Sequence, residues 1–218
     1  MNMLKLALIV FYFIASFALA APPSVPETKL KHREEFIDKD TKEQRRLYKT
    51  DYSMGAEIWD SARKKYVKHG VFLTFHSNKA VNNVTTWNYG VREGSHERYD
   101  KNGVLKEEGF YSNGKKEGEW KTYTDKGRLF QKSQYKGGKR DGETIDYNTY
   151  VKRDGQPQFI KMYKNGKLHG PHEQYNDKGQ KVIWGTYVEG KREGSWCDYD
   201  WNRKVRCRSW VNGKRQDG

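Results

Sequence analysis

Asn113 to Trp120 reads NGKKEGEW, and the chain keeps returning to that phrase. It recurs as GKRDGE at Gly138 to Glu143, NGKLHGP at Asn165 to Pro171, EGKREGSW at Glu189 to Trp196 and NGKRQDG at Asn212 to Gly218. With the last glycine of each phrase as origin, the series is Gly70, Gly94, Gly118, Gly142, Gly170, Gly194 and Gly218, in steps of 24, 24, 24, 28, 24 and 24. A period of this size marks a repeat architecture. The step of 28 requires a four-residue insertion, which falls in Asn148 to Arg153.

Other columns hold the same register. Five residues past each origin stand Phe75, Tyr99, Tyr123, Tyr147, Tyr175 and Tyr199. Seventeen past it stand Trp87, Tyr111, Tyr135, Tyr163 (allowing for the insertion) and Tyr187, and twenty past it Gly90, Gly114, Gly138, Gly166 and Gly190. A second glycine column holds Gly103, Gly127, Gly155 and Gly179.

Within one unit, Gly118 to Tyr123 (GEWKTY) is short, aromatic and bounded by turn residues, which signals a strand. Thr124 to Gly127 is a turn, Arg128 to Tyr135 the returning strand, and Gly137 to Gly142 the turn into the next unit. No room is left for a helix. The expected fold is all-β: an elongated single-layer antiparallel meander of stacked 24-residue β-hairpins, twelve strands extending roughly 55–60 Å at ~4.8 Å per strand. A single layer lacks a second layer to bury its apolar face. Stacked rings are expected to compensate, which suits a chain that is only 34% hydrophobic yet 14% aromatic. Trp120 and Tyr123 differ by an odd offset, so both faces carry rings.

The stretch YSNGKKEGEWKTYTDKGRL, Tyr111 to Leu129, resembles the MORN-repeat variant family, and specifically the bacterial YwqK-type antitoxin-like proteins. The resemblance covers about Gly70 to Gly218. It implies a β-hairpin array whose function is binding: neutralising a toxin protein, scaffolding, or touching membrane lipid. The chain departs from the pattern at the insertion, at Ser77-Asn78-Lys79 and Asn202-Arg203 where a turn glycine is expected, and at Trp210, which falls one residue early.

Residues 1–20 read as a cleaved secretory signal. Leu6 to Leu19 is apolar apart from Ser16, Ala18-Leu19-Ala20 supplies the small residues at the cut, and the run is shorter than a span needs. The mature protein is therefore expected to be exported, periplasmic or secreted. Residues 21–50 follow, with a Pro-rich tether (Ala21 to Glu27) and a charged segment from Lys31 to Lys49, read as partial helix or disorder with the helix favoured. The array is assigned to 51–218, with AEIWD (Ala56 to Asp60) as a probable strand of a degenerate leading unit.

Cys197 and Cys207 fall on the two strands of the last hairpin, and register decides whether they close a disulfide. His69 shares a repeat position with His169, and His96 with His172; other units place Glu117 or Trp120 there, which argues for structural rather than catalytic roles. No catalytic motif, metal site or cofactor is indicated, and no enzyme activity is expected.

The net charge of +14 favours acidic partners. The basic pairs Lys115-Lys116, Lys139-Arg140, Lys191-Arg192 and Lys214-Arg215 hold one turn position and are expected to form a row along one edge, partly offset by Glu117, Asp141, Glu193 and Asp217. The row either meets an acidic surface or protects the edge from aggregation. The leading expectation is an exported binding protein of antitoxin or immunity type with an acidic protein partner. The alternative is an envelope scaffold that binds anionic lipid or cell-wall polymer; nucleic acid is not expected, and the oligomeric state is left open.

Overall fold

The computed structural model describes residues 34–37, 44–50, 53–150 and 155–216. Residues 1–20, read as a signal, and the Pro-rich segment after them lie outside the described residues. Among the described residues sixteen strands form one sheet in strict sequence order, each antiparallel to the next. They are β1 (Glu34–Ile37), β2 (Gln44–Lys49), β3 (Ser53–Asp60), β4 (Lys65–Phe75), β5 (Val81–Asn88), β6 (Val91–Tyr99), β7 (Leu105–Ser112) and β8 (Lys115–Tyr123). The series continues with β9 (Leu129–Lys136), β10 (Lys139–Tyr147), β11 (Pro157–Lys164), β12 (Lys167–Tyr175), β13 (Lys181–Val188), β14 (Lys191–Tyr199), β15 (Val205–Val211) and β16 (Lys214–Arg215). The fold is the all-β, single-layer hairpin meander expected from the glycine and tyrosine columns.

Where a partial helix is expected within Lys31 to Lys49, the described residues are not helical. Glu34–Ile37 and Gln44–Lys49 are strands instead, β2 pairing with β3 and β1 with β2. An isolated helix of this length is marginal in water. The open edge of β3 offers a row of unpaired N–H and C=O groups, and the segment satisfies its own by joining it.

Two kinds of connection alternate. The tight ones are two-residue turns with both centres at positive φ, as at Asn113 (50°) and Gly114 (78°), the geometry that matches strand twist. From β4 onward the others are five-residue loops, lengthened to nine residues (148–156) at the insertion, and the first residue caps the loop. Asp100 Oδ1 accepts from the N–H groups of Asn102 (2.8 Å) and Val104 (3.0 Å), and Asn176 and Asp200 repeat this. Where turn glycine is missing, Lys79 (φ 69°) and Arg203 (φ 60°) adopt the left-handed conformation in its place.

The origin glycines are not turn residues, as the sequence suggested. The strand after each tight turn runs straight through them. In β8, Lys121 faces Glu108 and Glu117 faces Phe110, so four steps along β8 match two along β7. Gly118, at φ 67°, sits inside this bulge, which demands a backbone few other residues adopt. A turn glycine and a bulge glycine look alike in sequence. The last hairpin also differs: β14 and β15 pair without the extra loop-end residue, Gly194 facing Trp210 and Tyr199 facing Val205. Its turn glycine is thus Gly213, and the final step is 23 residues, from Gly190.

Through the regular repeats the buried rings lie in side-chain columns on one face, here called the ring face. Two residues past each origin, the column reads Phe72, His96, Trp120, Thr144, His172, Trp196. On the preceding strand, the facing residues are Thr85 for His96, Gly109 for Trp120, Ser133 for Thr144, Lys161 for His172 and Gly185 for Trp196. Size is exchanged within every pair but that of Lys161 and His172. A Cβ on Gly109 would lie 2.3 Å from the Trp120 ring, and one on Gly185 2.3 Å from Trp196. Each indole lies flat on backbone, and its Nε1 donates to a carbonyl near the bulge, of Phe110 (3.1 Å) or Thr186 (2.9 Å). Thr144 and Ser133 fill the same space with two hydroxyls, hydrogen-bonded at 3.2 Å. Tyr111 and Tyr135 meet Trp120 edge-on, with centroids 5.0 and 6.2 Å away, and Tyr187 meets Trp196 at 4.9 Å. Trp120 and Trp196 are buried although no second layer covers them. At the N-terminal end the opposite face carries most of the core: Ile58 and Val67, paired across β3 and β4, and the cluster of Leu73, Phe75 and Val81.

Two outcomes test this packing. Gly109→Ser should cost about 3 kcal/mol, the order expected for overpacking, whereas Gly109→Ser with Trp120→Thr, which copies Ser133 and Thr144, should recover part of that loss in a urea titration. A double variant no more stable than the single would refute size exchange. His96, hydrogen-bonded to Thr85 at 2.7 Å, is driven by burial down to about 4, with Glu107 acting in the opposite sense. Its folded value lies below the unfolded one near 6.5, so the stability of the neutral ring is complete above about pH 6.5 and is lost as pH falls towards 4. Thr85→Gly with His96→Trp should therefore flatten the stability–pH curve in that window.

Candidate functional site

Strand alternation divides each basic pair. Lys115 faces Ser112 and Lys116 faces Tyr111, so the two lysines point to opposite faces of β8. The single row expected from sequence is therefore two rows. The first members, Lys115, Lys139, Lys191 and Lys214, are exposed along the tight-turn edge. Among the described residues, none of Lys115, Lys139 and Lys191 has an ion-pair partner within 4 Å. The stem of Lys115 covers Gly138 of the next turn and that of Lys191 covers Gly213.

The second members belong to the ring face. Lys116 Nζ lies 3.8 Å from the centroid of Trp120 and 5.5 Å from that of Tyr135. Arg140 lies 5.4 Å from Tyr163, and Arg192 lies 4.3 Å from Trp196 and 4.9 Å from Trp210. Arg215, opposite Trp210 on β16, is exposed at the end of this row. Two further members carry no basic neighbour and were missed in the pairs: Lys68, 4.1 Å from Phe72, and Arg92, 5.0 Å from Tyr111. Lys68, Arg92, Lys116 and Arg192 each lie between two rings and Arg140 lies over one, worth about 0.5–2 kcal/mol per contact. The row has one gap, at Leu168.

The acidic neighbours do not neutralise these cations. Glu93 accepts from the Asn113 N–H at 2.6 Å, Glu117 from Gly137 at 2.7 Å, Asp141 from Asn165 at 3.0 Å and Glu193 from Asn212 at 2.8 Å. Each carboxylate thus caps the following tight turn; Asp217 lies outside the described residues. His69 and His169 occupy the same position, and their Nδ1 atoms accept from the N–H groups of Tyr89 and Glu189. That shared duty explains why histidine and carboxylate interchange there.

Charge is therefore distributed unequally. On the strands β3 to β16, the register places ten cations on the ring face: Lys68, Arg92, Arg98, Lys116, Arg140, Lys161, Arg192, Arg206, Arg208 and Arg215. Four carboxylates oppose them: Glu57, Glu107, Asp146 and Asp198. Glu107 pairs with Lys116 at 3.1 Å, Asp146 with Lys161, and Asp198 with Arg206 and Arg208. The other face alternates sign and pairs internally, Lys121 with Glu108 at 3.2 Å and Lys132 with Glu119 at 3.5 Å. There the phenols of Tyr99 and Tyr123 donate to Glu97 and Glu108, both at 2.6 Å, and burial raises their pKa.

Cys197 and Cys207 face each other directly across β14 and β15 and form a disulfide, with their Cα atoms 4.0 Å apart. It clamps the terminal hairpin on the face opposite Trp196. On the loop edge, Tyr150 (98% exposed) and Trp201 (90%) stand free of the sheet.

Comparison with known proteins agrees with this geometry at the level of the repeat. No curated protein matches the chain. Among solved structures, a crystal structure described as a GtfA/B complex bound to UDP and GlcNAc aligns with 96% of this chain and 37% of its own, at 15% identity and a TM-score of 0.16. The chain thus spans little more than a third of that protein, and the likeness is too low for its fold or ligands to bear on this one. Residues 92–113 and 116–136 match the family model described as MORN repeat variant, so this part of the array consists of two adjacent repeats of that type.

Proposed function

We propose that this chain is an exported, non-enzymatic repeat protein that captures an acidic protein partner, as an antitoxin or immunity protein does. The observation that carries the reading is the charge excess on one face, where Arg92, Lys116, Arg140 and Arg192 are held against rings while the carboxylates beside them cap turns. Cations positioned in advance lose little side-chain freedom on binding, and arginine and aromatic residues dominate interface energetics. The exposed lysines at the adjoining edge add long-range attraction. The non-enzymatic part of the reading rests on the histidines: His69, His96 and His169 each have a structural partner within the sheet. The resemblance to YwqK-type proteins favours the antitoxin class. The apolar N-terminus favours export, with cleavage near Ala20 and a periplasmic or secreted mature chain.

A second reading has its own support. Tyr150 and Trp201 project from the loop edge, and Trp201 is followed closely by Arg203 and Lys204. Exposed rings beside cations suit an envelope scaffold resting on anionic lipid or cell-wall polymer.

An affinity pull-down of the mature chain from its own cell envelope separates the two readings. One stoichiometric acidic protein should be recovered, and it should be lost both in high salt and with Arg92→Gln, Arg140→Gln and Arg192→Gln combined. Recovery of lipid or glycan alone removes the first reading. Sedimentation with anionic vesicles that disappears on Trp201→Ala would establish the second.

A further inference from the structure

The spacing of the ring-face cations has a counterpart in one kind of peptide. Lys68, Arg92, Lys116 and Arg140 lie on β4, β6, β8 and β10, so neighbours in the row are two strands apart. Strands in a sheet lie ~4.7–4.9 Å apart, which sets the interval at about 9.4–9.8 Å. A polyproline II helix rises ~3.1 Å per residue with three residues per turn, so every third side chain returns to the same side after about 9.3 Å. A β-strand repeats a face every ~6.6–6.8 Å, and an α-helix every seven residues, about 10.5 Å. Over three intervals the polyproline form drifts from the row by about 1 Å, whereas the α-helix drifts by nearly 3 Å and the strand falls out of register at once.

We propose that the row Lys68–Arg92–Lys116–Arg140 binds an extended acidic segment in the polyproline II conformation, with a carboxylate at every third residue, lying across the strands. This deepens the reading of an acidic protein partner and rests on it. Three observations on the structure carry the inference. The charge is complementary and lies on one face. The cations are fixed laterally by ring contacts, Arg92 also donating to the Tyr111 hydroxyl at 3.3 Å and Arg140 to Gln131 at 2.9 Å. They nevertheless keep access to solvent: Arg92 is exposed, and the Lys116 side chain is 27% exposed. Because a polyproline helix has no internal hydrogen bonds, it can follow the twist of the sheet without losing any. The gap at Leu168 then limits the contiguous site to four cations, with Arg192 beyond it.

Fluorescence anisotropy on the mature chain tests the register. Two labelled Pro-rich peptides of equal length, composition and charge are compared, one with Asp at every third position and one with Asp at alternating second and fourth positions. The triplet peptide should bind about tenfold more tightly, the sum of several small charge pairs made or missed together. Arg92→Gln with Arg140→Gln should abolish the difference, while removing the same charge at the edge with Lys115→Gln and Lys139→Gln should leave it. Leu168→Arg places a cation in the vacant slot of the row. It should tighten a peptide of six triplets and leave one of four triplets unchanged, which a general gain in charge would not do. Equal affinities for the two isomers would overturn the proposal. That result would leave the broader reading standing if the envelope pull-down still recovers a folded acidic protein.

Discussion

The indole of Trp120 lying flat on Gly109 is the contact from which the rest of the sheet follows. It solves the difficulty of a single layer: a large apolar ring is sealed without an opposing sheet or helix. One side of the ring is covered by backbone, its edges by Tyr111 and Tyr135, and its outer side by Lys116. The enclosure draws on three strands, Gly109 and Tyr111 from β7, Lys116 from β8 and Tyr135 from β9, so the ring is buried only when these strands are in register. The bulge at Gly118 is part of the same arrangement, since it brings the indole N–H to the Phe110 carbonyl.

The pattern is tolerant because the enclosure is defined by a pair of positions rather than by one residue. Trp over Gly, Thr beside Ser and His beside Thr are alternative fillings of one space. The Lys161 and His172 pair fits least well. Lys161 turns to Asp146, and His172 Nδ1 is left without a hydrogen-bond partner among the described residues. This is the unit that follows the insertion and that carries Leu168 instead of a cation. The regular lattice is thus weakest at one known place, between two better-packed halves.

Much of the architecture was legible in sequence because its determinants are chemically narrow. Only glycine serves comfortably at Gly114, and Tyr111 and Tyr135 repeat at a fixed distance from it. Sequence placed Cys197 and Cys207 on one hairpin but left their pairing to strand register, and the missing loop-end residue of that hairpin is what brings them opposite each other. What escaped notice was of another kind. In sequence Gly118 looks like a turn residue because positive φ is needed in turns and bulges alike. Lys68 and Arg92 belong to the cationic row, yet they lack the basic neighbour that drew attention to Lys116 and Arg140. Gly109 carries no signal by itself; its meaning lies in Trp120, eleven residues on. The strands within 34–49 have mixed charge and little alternation, and their conformation is set by the edge they join.

The tight turns also touch one another: the Gly114 N–H donates to the Arg92 carbonyl at 2.9 Å, Gly138 to Lys116 at 2.9 Å and Gly166 to Arg140 at 2.7 Å. Every such link spans one unit and no more. A duplicated block of two strands therefore brings all its own fastenings and leaves both neighbours as they were. Copy number can drift by unequal recombination without disturbing either surface, which makes the molecule a ruler whose length evolution can reset while the graduations stay the same.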